Sequence, residues 1–163
     1  MNAATTEPAQ TYLKLRSHIL RLTPAEIGLT PSSKIPHVWG VLMETGYTVG
    51  TATLVSLADG TTSLFYSTGG GMLGSGEYTP VAEASIALVT QAENHLQHMS
   101  STNKFPLPEV GQVRFILLTF TGIFSADAPE KTIASGAHHL SPLFMRANET
   151  LTQLRLLAEK KRK

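Results

Sequence analysis

The chain has 163 residues, the size of one domain, and 42% of them are hydrophobic, which excludes a chain that is disordered throughout. It contains no cysteine, which excludes disulfides, thiolate nucleophiles and zinc or iron–sulfur sites held by cysteine. Residues 160–163 supply four of the 13 cations, so the remaining body has 9 cations against 12 anions and a net charge of −3, which disfavours nucleic acid as a partner.

The N-terminal part of the chain is predicted to contain a lead, a helix and a loop. Residues 1–9 are expected to be disordered, and they lack the basic start and apolar stretch of a signal peptide, so we expect a cytoplasmic protein. The apolar residues of 10–22 fall on one helical stripe, and the two prolines of 30–37 predict a loop. No run of about 20 apolar residues occurs, so a membrane partner is not expected.

Three strands are predicted next. Residues 38–44 are apolar almost throughout, as in a strand that is buried on both faces. Residues 51–57 and 61–68 are rich in β-branched side chains. The dipeptide Asp59-Gly60 between these two runs predicts a hairpin with a type I′ turn, in which both residues have positive φ.

A central helix and a second pair of strands follow. Thr79 is predicted to cap the helix, with Pro80 in its first position. Residues 112–120 are predicted to form a strand with apolar side chains on both faces, and a turn joins them to a short strand at 123–126.

Two helices are predicted at the C-terminal end. Asp127 and Glu130 have the spacing of a capping box, which predicts one or two helical turns ending near Gly136. The dipeptide Ser141-Pro142 marks the start of the last helix. Its predicted buried stripe consists of Phe144, Ala147, Leu151, Leu154 and Ala158.

The resulting order, α-β-β-β-α-β-β-α, predicts an α+β fold. Two links are short enough for hairpins, so we expect a single-layer, mostly antiparallel sheet of five strands with the helices packed on it. We expect one domain over residues 10–159, with the lead 1–9 before it and a basic tail, 160–163, after it.

Glycine is concentrated in the 69–76 loop, between the third strand and the central helix. The loop matches the G-x-G-x-x-G pattern of dinucleotide sites, but the helix begins too late and no acidic residue ends a second parallel strand about 20 residues on. Backbone N–H groups of such a loop can instead bind a small anion next to a helix N-terminus. The alternative is that the glycines only supply the positive φ needed to turn the chain. The candidate ligand-binding residues are Thr68, Gly69, Gly70, Gly71, Gly74, Ser75 and Gly76.

Four further residues are secondary candidates. Glu44 ends an apolar strand, where a carboxylate either does proton chemistry or pairs with Arg or Lys. Glu77 lies beside the glycine loop, and His138 and His139 are candidates for a catalytic base. His95 and His98 are predicted to share one helix face, but no third ligand is assured, so a metal is not expected, and no other cofactor is expected either.

Three stretches carry a resemblance to known proteins: VWGVLMETG at 38–46, LADGTTSLF at 57–65 and HHLSPLF at 138–144. Together they resemble a family of small bacterial proteins of similar length that has no assigned activity, over about residues 37–156. The element order also resembles the roadblock family and other profilin-like modules, although three strands here precede the central helix where roadblock proteins have two. The roadblock resemblance implies non-enzymatic homodimers that scaffold or regulate small GTPases.

The sequence therefore favours a small bacterial cytoplasmic module for regulation or protein interaction, most simply a homodimer without enzymatic activity. Low charge, abundant strand and the lack of an assembled catalytic group point to this class, and dimers are the commonest soluble oligomers. The alternative is a ligand-binding domain or small enzyme with an anion or phosphate site at the 69–76 loop.

Overall fold

The computed structural model describes residues 7–162. Its α-helices are α1 (Gln10–Arg21), α2 (Thr79–Ala92), α3 (Glu130–Ala134) and α4 (Ser141–Lys161). Its strands are β1 (Val38–Tyr47), β2 (Gly50–Leu57), β3 (Thr62–Tyr66), β4 (Gly71–Met72), β5 (Ser100–Ser101), β6 (Gln112–Thr119) and β7 (Gly122–Pro129). Short 3₁₀ helices occupy Pro24–Ile27, Ser75–Glu77 and Glu93–His98.

The strands form one antiparallel sheet in the order β4-β3-β2-β1-β6-β7-β5. The predicted α+β class and antiparallel sheet are therefore confirmed, but over residues 7–162 the sheet has seven strands and not the predicted five. The additional strands, β4 and β5, are each two residues long and pair with β3 and β7 at the two edges. So short a strand leaves no alternation in the sequence by which it could be recognised.

The sheet is the middle of three layers. Residues 38–46 of β1 are all buried, and β6 is buried from Phe115 onward, as the apolar runs predicted. One face packs against α2 and α4, around Leu88 and Leu117. The opposite face packs against α1 and the segments that flank it, around Tyr12 and Leu42. Polar side chains that point from β1 towards α1 are consequently enclosed.

The hairpin at Asp59-Gly60 forms, but the predicted type I′ turn is wrong. Within the described chain positive φ occurs at glycine alone, so Asp59 keeps a negative φ while Gly60 has φ 92°. The Gly60 N–H donates to the Leu57 carbonyl and the Leu57 N–H donates to the Thr61 carbonyl, each at 2.9 Å. The turn is thus longer by one residue than a two-residue type I′ loop, with glycine in its left-handed position.

Both helices for which a cap was predicted are present, but neither predicted capping interaction forms. Asp127 lies inside β7 and pairs with Arg114 across the sheet, so it does not cap α3, which begins after Pro129. Thr79 is the first residue of α2 and its side chain makes no capping hydrogen bond.

The last helix begins at Ser141 as predicted, but its buried side is displaced from the predicted stripe. Phe144, Leu151 and Ala158 are only partly buried. The residues that α4 buries are Ser141, Leu143, Ala147, Thr150, Leu154 and Leu157.

At the N-terminus, residues 1–6 of the predicted lead lie outside the described residues. Ala9 is tied to the sheet, because its N–H donates to the Ser67 carbonyl at 2.8 Å. At the C-terminus, α4 continues through Lys161, so part of the predicted tail is helical, while Lys163 lies outside the described residues. Along residues 7–162, no helix combines the length and the apolar character needed to cross a bilayer.

Candidate functional site

The 69–76 loop is the turn of a small hairpin at one edge of the sheet. The chain reverses between β3 and β4 at Gly69 and Gly70, then enters a 3₁₀ turn at Ser75. Positive φ values of 105° at Gly69, 83° at Gly70 and 63° at Gly74 explain why glycine occupies these positions.

Two other glycines of the loop are required by close backbone packing. A Cβ on Gly71 would collide with the Leu64 carbonyl of β3, and a Cβ on Gly76 would collide with the Gly60 carbonyl. Part of the loop's donor capacity is also committed, because the Gly69 N–H donates to the Tyr66 carbonyl at 2.9 Å. These contacts favour the alternative in which the glycines turn the chain.

Some of the sequence candidates around the loop line a surface hollow, whereas others lie in the hairpin turn. Gly74, Ser75 and Glu77 line a hollow of about 250 Å³ together with Tyr78, Leu157 and Lys161. The Gly74 N–H already donates to the Ser63 hydroxyl at 3.2 Å. Thr68 is exposed at the turn. The hollow thus offers one lysine to an anion, with a carboxylate beside it.

Glu44 is completely buried between β1 and α1 and is paired there with Arg16. The Arg16 guanidinium donates from Nε to Oε2 at 2.7 Å and from Nη2 to Oε1 at 2.8 Å. The Thr53 hydroxyl of β2 donates to Oε2 at 2.8 Å. The carboxylate therefore accepts three hydrogen bonds from the protein, and the ion pair is one of the two outcomes that the sequence left open.

Tyr12 extends this network to the start of α1. Its hydroxyl lies 2.8 Å from the Thr53 hydroxyl, and its ring meets the Phe65 ring edge-on at 5.5 Å between centroids. Burial, followed by the negative charge of Glu44, raises the pKa of Tyr12 to about 12. Burial alone would lower the pKa of Arg16, but the hydrogen bond to Glu44 and its charge raise that pKa above its ordinary value. The network fastens α1 to the sheet.

A second arginine lies opposite Glu44 on β6. Arg114 is the cross-strand neighbour of Glu44, and it makes a bidentate pair with Asp127 of β7 at 2.7 and 2.8 Å. Its remaining terminal nitrogen donates to the Pro106 carbonyl. Hydrogen bonding to Asp127 raises the pKa of Arg114. Arg114 thus holds the 105–111 segment against the sheet.

His138 and His139, the two histidines singled out in the sequence, lie next to a third histidine in the structure. The His138 and His139 rings stack with centroids 4.3 Å apart, and the His139 ring lies 4.9 Å from that of His98 at the end of the 93–98 turn. His138 Nδ1 accepts the Leu140 N–H at 3.0 Å, so its role at that nitrogen is structural. Among residues 7–162, no group of three metal-ligating side chains has a geometry that could hold a metal ion.

The sequence candidates do not converge on one place. The glycine loop precedes α2 and the histidines follow it, and a helix of 14 residues spans about 21 Å. Glu44 lies between the sheet and α1, on the face opposite α2. The loop, Glu44 and His139 therefore do not line a common pocket.

Three buried hydroxyl groups form a hydrogen-bonded chain that was not predicted from the sequence. The Ser85 hydroxyl of α2 lies 2.7 Å from the Ser56 hydroxyl and 2.5 Å from that of Thr62, which donates to the Gly60 carbonyl at 2.9 Å. All three side chains are fully buried. They fix α2 over β2 and β3, and a single serine on a helical stripe gave no signal of these partners.

An apolar groove at the tip of the β1–β2 hairpin was also missed. We call it the hairpin groove. It has a volume of about 360 Å³, and its lining includes Pro8, Tyr47, Val49, Leu107, Pro108 and Val110. Tyr47, Val49 and Val110 are 48%, 69% and 60% exposed. The signal was available as one apolar residue in each of two loops, but only the fold brings those loops together.

The hairpin groove is shaped by Gly46 of β1 and by the 105–111 segment, which crosses over Gly46. The Gly111 N–H donates to the Gly46 carbonyl at 2.8 Å, and a Cβ on Gly46 would collide with the Glu109 carbonyl. The crossing segment therefore lies directly on β1 and forms one wall of the groove.

Comparisons of the chain with protein-family models, curated proteins and solved structures found no match.

Proposed function

We propose that this protein is a small, non-enzymatic regulatory module of the bacterial cytoplasm, homodimeric, that acts by binding a protein partner in the hairpin groove. The observation that carries the proposal is the exposed apolar rim of that groove, formed by Tyr47, Val49 and Val110 on a hairpin and a pinned crossing segment. Clustered apolar side chains in a concave surface are typical of protein contacts.

The charges around the hairpin groove define the chemistry of the partner. Glu109 lies in its wall, and the charge of Glu130 acts on Tyr47, whose pKa is raised first by the partial burial of its ring and then by that carboxylate. Among residues 7–162, no arginine or lysine contributes to the lining. The partner that fits is a segment with an apolar side chain for the groove and basic residues beside it.

The sequence candidates support a binding module more than an enzyme. Glu44 is held by Arg16 and Thr53, and the glycine loop is committed to a hairpin turn. The resemblance to roadblock-type modules points in the same direction, as an expectation about the family.

Site-specific photo-crosslinking tests the proposal. A photoreactive amino acid at Val49 should give a discrete protein adduct in the cells that produce the protein, and Val110→Asp should abolish it by placing a charge in the groove. The same amino acid at Ile86, an exposed aliphatic residue on α2, is the matched control. Identical adducts from both positions, or an adduct that survives Val110→Asp, would overturn the proposal.

The alternative function, anion binding at the 69–76 loop, is supported by one contact. Lys161 reaches the hollow that Gly74 and Ser75 line, although Glu77 shares that hollow. A native mass spectrum that shows a retained small anion, lost in Lys161→Gln, would favour this alternative over partner binding.

A further inference from the structure

A second groove runs between α2 and α4 on the outer side of the helical layer. Two adjoining hollows of about 340 Å³ and 520 Å³ share Arg146 and Glu149, so they form one continuous surface, which we call the helix groove. Its lining includes Glu83, Ala87 and Gln91 from α2 and Met145, Arg146 and Gln153 from α4.

The charged side chains of the helix groove have no ionic partner within the described part of the chain. Arg146 and Glu83 form no ion pair there, and Glu149 accepts only the Gln153 side-chain amide, at 2.9 Å. Arg155, on the other side of the same helix, does pair with a carboxylate. Next to Arg146, the thioether side chain of Met145 is 69% exposed.

We propose that the helix groove is the surface through which two copies of this chain associate, with Arg146 of each copy pairing with the Glu149 of the other. This inference rests on the homodimer of the proposed function and names its surface. The twofold axis crosses α4 between these two residues, and the exposed Met145 of each copy lies beside its Arg146, on the side away from the axis.

The reciprocal pairing follows from symmetry and helix geometry. In a twofold interface, a contact from one residue to a second is repeated from the second to the first. Arg146 and Glu149 are three residues apart, about 4.5 Å along the helix axis, on one side of α4. Two antiparallel copies of α4 therefore place each arginine against a carboxylate. Opposite charges at these positions set the register, and like charges there are strongly unfavourable.

Charge reversal tests this pairing in the full chain. Arg146→Glu should leave two glutamates facing two glutamates, and Glu149→Arg should leave two arginines facing two arginines. Sedimentation should show a dimer dissociation constant raised about tenfold or more in each variant. Arg155→Glu, the same change on the opposite side of α4, should leave the dimer as it is. Circular dichroism confirms that each variant is folded.

Mixing the two variants gives the decisive measurement. The carboxylate introduced at position 146 of the first variant would face the guanidinium introduced at position 149 of the second. The unchanged Glu149 of the first variant would face the unchanged Arg146 of the second. An equimolar mixture should therefore form a heterodimer with nearly the affinity of the unchanged protein, which loss of local structure could not produce.

The outcomes separate this inference from the proposed function. A dimer that tolerates both charge reversals, or variants that fail to form a heterodimer on mixing, would overturn the helix groove as the surface while leaving the homodimer. A chain that stays monomeric at high concentration would overturn both the surface and the homodimer. Crosslinking at Val49 is independent of either result, because the hairpin groove lies on different elements.

Discussion

The Arg16 guanidinium and the Glu44 carboxylate form a bidentate pair at 2.7 and 2.8 Å, although 28 positions separate them in the chain. Both side chains are nearly or fully enclosed. A buried pair of this kind contributes little net stability compared with apolar residues, but removing one partner leaves an uncompensated charge.

Glu44→Ala should therefore destabilise the protein by about 3–5 kcal/mol. Lys14→Ala, an exposed change on α1, the helix that carries Arg16, should cost no more than about 0.5 kcal/mol. The double change Arg16→Met with Glu44→Met should be more stable than either single change at these positions, since no unpaired charge remains. Urea unfolding followed by circular dichroism measures all of these, and equal costs for Glu44→Ala and Lys14→Ala would refute the buried pair.

Tyr12 should make stability fall at high pH. Its pKa is raised to about 12 in the folded protein, against about 10 in the unfolded chain. Between these values the unfolded state releases a proton that the folded state keeps, so stability is lost as pH rises from 10 towards 12. Tyr12→Phe lacks this ionisation and should lose less stability over that range. The comparison is made by urea unfolding at pH 9 and pH 11, and parallel losses in both proteins would contradict the assignment.

His95 and His139 should make stability fall at low pH. Burial lowers the pKa of His95, and desolvation together with His138 and His98 lowers the pKa of His139. Their folded pKa values lie below the unfolded value of about 6.5, so stability is complete above pH 6.5 and is lost as pH falls below it. His139→Asn should flatten this dependence. Thermal unfolding between pH 5 and pH 8 checks the slopes.

Gly71 and Gly70 should differ sharply in their tolerance of alanine. Both have positive φ, but a Cβ on Gly71 would meet the β3 backbone while the space around Gly70 is open. Gly70→Ala should cost about 1–2 kcal/mol, the penalty of a side chain in that conformation, and Gly71→Ala clearly more. Unfolding midpoints in urea provide the measurement. Similar losses at both positions would argue against the close packing of β4 on β3.

Local sequence patterns predicted the elements of this fold well where a few neighbouring residues restrict the backbone or its burial. The apolar run of β1, the turn glycine Gly60 and the start of α4 at Ser141 are all where the sequence placed them. One of the errors arose where a side chain had two possible partners. Asp127 has capping-box spacing to Glu130, but the cross-strand guanidinium of Arg114 offers a bidentate ion pair, which is stronger.

The candidate site was predicted less completely than the fold. The sequence named Glu44 and left open whether it is catalytic or paired, because the answer depends on Arg16, which reaches it from a helix 28 residues earlier. It named His138 and His139 but could not join them to His98, which follows a different helix. Residue types identify the groups that can do chemistry, whereas distances between them belong to the tertiary structure.

By itself, the sequence determined the α+β class, the hairpin at Asp59-Gly60 and the depth at which β1 is buried, because periodicity and backbone sterics act within a few residues. Only the tertiary structure decided that Glu44 faces Arg16, that Tyr47, Val49 and Val110 share one groove, and that Arg146 and Glu149 have no ionic partner among residues 7–162. Those relationships join elements that are distant in the chain, and packing around a common sheet is what brings them within bonding distance.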